Sequence, residues 1–135
     1  METTGGKSYD ALLGFSQGGV FATALAISGA IPGVKAVVTA GSPMVEEAFH
    51  VAKHVIADSE ETVAQGLQMP KLHLAGETDS LVSVDSTKRM CDEGGAGEFI
   101  IHEQGHLFPT RAVRVNYMIE FLAAALNDDI ETPSD

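Results

Sequence analysis

Four short apolar runs, separated by stretches of helical periodicity, organise this chain. The first covers 9–15. It is followed by 17–28, where Val20, Phe21, Ala24, Leu25 and Ser28 recur at helical spacing. Ile31-Pro32-Gly33 breaks that helix, and the β-branched run 34–39 reads as a second strand. Residues 44–68 have the weakest pattern. One helix is expected over about 45–55 and another over 59–65, where Ser59 stands before Glu60 and Glu61 as a cap stands before an acidic first turn. Strands are expected at 71–75 and 98–102, with a helix over 84–91 between them. The last helix covers 110–126, with Val115, Met118, Ile119, Leu122, Ala125 and Leu126 on one face.

This alternation predicts an α/β fold: three layers, α/β/α, around a mostly parallel sheet with crossovers on both faces. One domain is expected over 9–126, with 44–68 as a cap-like excursion. A disordered leader over 1–8 and a mobile acidic tail over 127–135 complete the expected organisation.

Composition narrows the function. With 135 residues, 44% of them hydrophobic, the chain can bury one core. Its formal charge of −11 argues against nucleic acid and against anionic lipid, which need basic surface. Cys91 is the single cysteine, so no internal disulfide can form and a reducing compartment is expected, the cytoplasm or the nucleus. No apolar run approaches the roughly 20 residues that span a bilayer, and the first ten residues lack the apolar core of a signal peptide.

The chemistry starts at Gly14-Phe15-Ser16-Gln17-Gly18, a G-x-S-x-G between a strand and a helix. Such a turn strains the serine backbone and lifts its hydroxyl clear of the sheet. Gly14 and Gly18 are expected where a side chain would collide as strand and helix pass. In an open parallel sheet, ligands sit beyond the carboxyl ends of the strands. The polar residues there are Ser16 after the first strand, Thr39 and Ser42 at the second, Asp79 after the third and His106 after the fourth. Ser, Asp, His is the chain order of an α/β-hydrolase. A serine hydroxyl needs a base, and His106 could take its proton and return it to a leaving group. Asp79 would hold the imidazole in one tautomer. The N–H of Gln17 would be one oxyanion donor. Alone, Asp79 could simply cap the next helix and His106 could be an ordinary loop histidine; their conjunction with Ser16 favours the relay.

Other candidates carry less. His50 and His54 lack the glutamate of a zincin and have Lys53 between them, so no metal is expected there. His73 reads as a packed strand histidine, and His102 as structural or supporting. Glu77 competes with Asp79 but sits less well in the turn. Cys91 reads as a small semi-buried residue, and Arg111 and Arg114 as surface charges close to His106.

The segments 9–19, 75–82 and 102–109 together resemble the FSH family of serine hydrolases. The resemblance implies an α/β-hydrolase fold, hydrolysis of carboxylic esters or thioesters, no cofactor, and Ser16, Asp79 and His106 as the triad. It also implies that 44–68 cover an apolar acyl pocket, with Phe15, Met44, Leu107 and Phe108 as its candidate lining. Family members carry βα units before the nucleophile strand, including the loop that gives a second oxyanion donor. Only eight residues precede the strand here, so a shortened sheet with a bare apolar edge is expected. Three readings follow. One is a serine esterase or thioesterase acting on a small-molecule acyl ester. The second is a weak or inactive hydrolase-fold module acting through its edge, as a homodimer or with a partner. The third is a receptor that keeps the pocket without turnover.

Overall fold

The computed structural model describes residues 9–95 and 97–127, so the leader and all of the expected tail beyond Asn127 lie outside the described residues. Four parallel strands, β1 (Ala11–Phe15), β2 (Ala36–Ala40), β3 (Lys71–Gly76) and β4 (Glu98–His102), form one sheet in the order β1-β2-β3-β4. The helices are α1 (Gln17–Ser28), α2 (Glu46–Val51), α3 (Glu60–Gln68), α4 (Val84–Glu93) and α5 (Ala112–Asn127). The single helix expected over 45–55 is divided. After α2 the backbone widens into a π-helical turn, Ala52–Ile56, which the Ala57 N–H closes onto the Ala52 carbonyl at 3.1 Å.

Burial follows strand position. Every residue of β2 and β3 is buried, as expected of inner strands of a parallel sheet covered on both faces. The outer strands β1 and β4 are only partly covered. On one face, Val38, Ala40, Leu72 and Leu74 pack with Met118, Phe121 and Leu122 of α5. On the other, Val20 and Ile27 of α1 pack with Phe49, Met90, Val63 and Leu67. Side chains alternate across a strand, so one apolar run serves both faces.

Three expectations are corrected here. The crossovers do not lie on both faces: α1, α2 with α3, and α4 share the α1 face, and α5 alone covers the other. Right-handed connections between strands in simple sequential order all fall on one side. On α5, Phe121 packs inward and Ile119 is 58% exposed, so the buried face is turned from the one read in the sequence. On α1, Phe21 is 57% exposed, although it shares the helical period of buried Val20 and Ala24.

Two polar residues sit inside β3. Lys71 is 1% exposed, and its ammonium donates to the carbonyls of Gly66, Leu67 and Met69 at 2.6, 3.2 and 2.9 Å. A side chain of one strand thereby caps the end of α3. Burial pulls its pKa down to about 8, partly opposed by Cys91. His73 is fully buried and shares a 2.7 Å hydrogen bond with the Thr39 hydroxyl of β2.

Candidate active site

Ser16 occupies the single residue between β1 and α1. Its φ of 57° and ψ of −125° make it the one non-glycine residue with positive φ among the described residues. Its N–H donates to the Ala40 carbonyl at 2.8 Å and its carbonyl accepts from the Gly19 N–H at 3.0 Å, which holds the turn against the end of β2. The hydroxyl makes no capping bond to the helix it precedes. Gln17 is the first residue of α1, so its N–H is one of the donors that an α-helix leaves without an internal partner.

The glycines of this turn divide differently from expectation. A Cβ on Gly14 would stand 2.5 Å from the Gly18 carbonyl oxygen and from the Gly19 Cα. A Cβ on Gly18 would meet nothing within 4 Å. Gly19 is the second closely packed position, set against the Ser42 hydroxyl and, at 2.8 Å, the Thr39 Cβ. Gly18 faces outward on the first turn of α1, while Gly19 faces the sheet.

Asp79 lies in the turn after β3. Its Oδ1 accepts from the N–H groups of Leu81 and Val82 at 2.8 and 2.9 Å, and its Oδ2 accepts from the His106 Nδ1–H at 2.7 Å. The carboxylate side chain is 1% exposed and the imidazole 17%. Burial pushes the Asp79 carboxyl up. The Val82 amide, the His106 imidazole and the Leu81 amide outweigh that push, leaving it below the ordinary carboxylate value. The pair is backed by Gly41, at the end of β2 with φ 64°. A Cβ there would come within 3.0 Å of His106 Nδ1 and 3.4 Å of Asp79 Oδ2.

The Phe15 ring lies 4.7 Å from the His106 ring and 6.2 Å from that of Phe108, centroid to centroid. Residues next to Ser16 and around His106 are therefore brought together. Leu107 is half-buried beside them in sequence and donates its N–H to the Gly105 carbonyl at 2.9 Å. Met44 packs against the α1-face core, and its N–H donates to Ser86 Oγ at 2.9 Å. Glu77 is exposed. His102 is buried at the end of β4 and accepts the Gln104 N–H through Nδ1 at 3.1 Å. Arg111 and Arg114 both face Glu103, at 3.7 and 3.5 Å. His50 and His54 are exposed with ring centroids 4.8 Å apart. Among the described residues, no group of three or more His, Cys, Asp and Glu could hold a metal ion.

Solved structures of esterases and thioesterases share this fold. Acyl-protein thioesterase 2 of Zea mays superimposes with a TM-score of 0.65 at 20% identity, covering 84% of this chain and 55% of that one. An esterase domain from Rhodothermus marinus gives 0.56 at 24% identity, covering 84% and 57%. The fold is that of the α/β-hydrolases. Residues 1–118 match the family described as Serine hydrolase (FSH1), and the chain belongs to that family. Among curated relatives, the esterase OVCA2 of Bos taurus is 27% identical over 124 residues, covering 84% of this chain and 49% of that protein. The esterase AGAP003155 of Anopheles gambiae is 29% identical over 65 residues, covering 48% and 24%. The chain thus spans half or less of the length of these relatives. No helix among the described residues is long and apolar enough to cross a membrane.

Proposed function

We propose that this chain hydrolyses carboxylic esters or thioesters with an apolar acyl group, through Ser16, His106 and Asp79. The observation that carries this reading is the part-buried 2.7 Å bond from His106 Nδ1–H to Asp79, together with a serine held at positive φ whose neighbour Phe15 packs its ring against His106. With Nδ1 committed to Asp79, Nε2 is the nitrogen free to act as base. Ser16 Oγ attacks the acyl carbon and His106 Nε2 takes its proton. The oxyanion that forms faces the Gln17 N–H. The proton then passes to the departing alkoxide or thiolate, leaving an acyl-serine. Water, deprotonated by the same imidazole, releases the acid. The Phe15 ring, packed 4.7 Å from the His106 ring and 6.2 Å from that of Phe108, supports an apolar acyl group.

Hydrolysis also depends on oxyanion donors, each worth roughly 10²–10³ in rate. Covalent labelling needs only nucleophile and base, so it is the more sensitive test. A fluorophosphonate probe should label the folded protein and fail to label Ser16→Ala. An unlabelled, folded wild-type chain would remove the enzymatic reading.

The outer edge of β1 favours a second reading, a hydrolase-fold module that works by pairing with another copy or a partner. Among the described residues that edge has no neighbouring strand, and Tyr9 and Leu13 are 60% and 59% exposed beside it. Sedimentation across a concentration series should then detect a dimer; a monomer throughout excludes the homodimer.

A further inference from the structure

Gln104 lies in the loop between β4 and α5, and all four of its polar groups are engaged. Its N–H donates to His102 Nδ1 at 3.1 Å, and its carbonyl accepts the Thr78 N–H at 3.3 Å. Its side-chain Oε1 accepts the Thr110 N–H at 2.9 Å, and its Nε2 donates to the Thr110 hydroxyl at 3.2 Å. These bonds run to three places: the end of β4, the residue before Asp79, and the entry to α5. His106 sits inside the loop that the side-chain pair closes, two residues after Gln104 and four before Thr110.

The backbone beneath is equally tight. A Cβ on Gly76 would stand 2.6 Å from the Gln104 carbonyl oxygen and closer still to that of Gly105. The His106 loop is therefore pressed onto the end of β3, where the Asp79 turn begins. The bond from Thr78 N–H to the Gln104 carbonyl spans the two loops one residue from the carboxylate and two from the imidazole.

We infer that Gln104 is a positioning residue, which locks the His106 loop to the Asp79 turn and so sets the imidazole for proton transfer. The inference rests on the triad reading above but names a residue outside the triad. Removing the side chain leaves both backbone bonds and takes away the closure onto Thr110. The imidazole can then leave its aligned position without the fold being lost. Misplacing a catalytic group by an ångström costs on the order of a hundredfold in rate, and partial loosening should cost roughly tenfold.

The test compares wild type, Gln104→Ala and Gln104→Glu. The glutamate keeps an acceptor for the Thr110 N–H and can accept the Thr110 hydroxyl proton with its other oxygen. Two readouts are taken: hydrolysis of nitrophenyl butyrate, and solvent exchange of the downfield His106 Nδ1 proton by NMR. In Gln104→Ala, kcat should fall about tenfold with KM nearly unchanged, and the imidazole proton should exchange at least several-fold faster. Gln104→Glu should restore both. Wild-type kcat and wild-type proton exchange in the alanine variant would overturn the inference. So would a lowered melting temperature with the imidazole proton unaltered, because that is a structural role alone. If wild type turns over no ester and takes up no fluorophosphonate, the hydrolase reading fails and proton exchange still decides the role of Gln104. Should Gln104→Ala not fold, Thr110→Ala, with Thr110→Ser as its rescue, tests the same closure from the other end.

Discussion

The backbone at Ser16 combines φ 57° with ψ −125°, a region in which only glycine rests without strain. Holding a serine there costs about 1–3 kcal/mol. Ser16→Gly removes that strain and adds up to about 1 kcal/mol of unfolded-chain entropy. The expected outcome is a protein more stable by about 1 kcal/mol in urea titrations that no longer takes up a fluorophosphonate. An unchanged or lowered midpoint would mean the turn is not strained. Much at this scale was legible in the sequence, because Gly14-x-Ser16 fixes a turn by local chemistry. The role of Gly19 was not. Its space is filled by Thr39 and Ser42, some twenty residues away, and contacts of that separation leave no local mark. Gln104 was invisible for the same reason: its partners are set by how a loop closes.

Between elements, α3 and α1 approach closely. A Cβ on Gly66 would stand 2.5 Å from the Ile27 Cα and 2.9 Å from the Ala26 carbonyl oxygen. Gly66→Ala gains roughly 1 kcal/mol of helix propensity but must force two backbones apart, which costs typically 1–3 kcal/mol or more. Steric cost wins because the colliding atoms are main chain. The expected result is destabilisation of about 1–2 kcal/mol by urea melts; a stabilised variant would show that α3 slides freely on α1. The strands were readable because inner strands of a parallel sheet must be apolar along their length. The sharing of one face by three connections was not, since it depends on strand order. Nor was the turned face of α5, where Phe121 replaces Ile119 in the core. Lys71, which caps α3 from within β3, has no sequence signature either.

For the molecule as a whole, stability against pH couples the −11 charge to two buried rings, His73 and His102, both held below the usual histidine value by burial. Burial first, then the Lys71 charge, lowers the His73 pKa to about 4 from 6.5. The folded value is depressed, so the unfolded chain binds the proton more tightly. This contribution is complete above pH 6.5 and is lost as pH falls through 6.5 toward 4. The loss amounts to about 3 kcal/mol, a large part of a small domain's stability. Neutralising surface carboxylates over the same range relieves repulsion and acts the other way, but screened surface charges are individually weak. Denaturation midpoints should therefore fall between pH 7 and 5 in wild type and fall less in His73→Asn; parallel slopes would exclude His73 as the cause. The chain contains no tryptophan. The contact of the Phe15 ring with His106 thus offers a place for a sole indole. In Phe15→Trp, an excited indole beside an imidazolium would be quenched, and the emission of the intact protein would report, in a cuvette and without substrate, whether that ring carries its second proton.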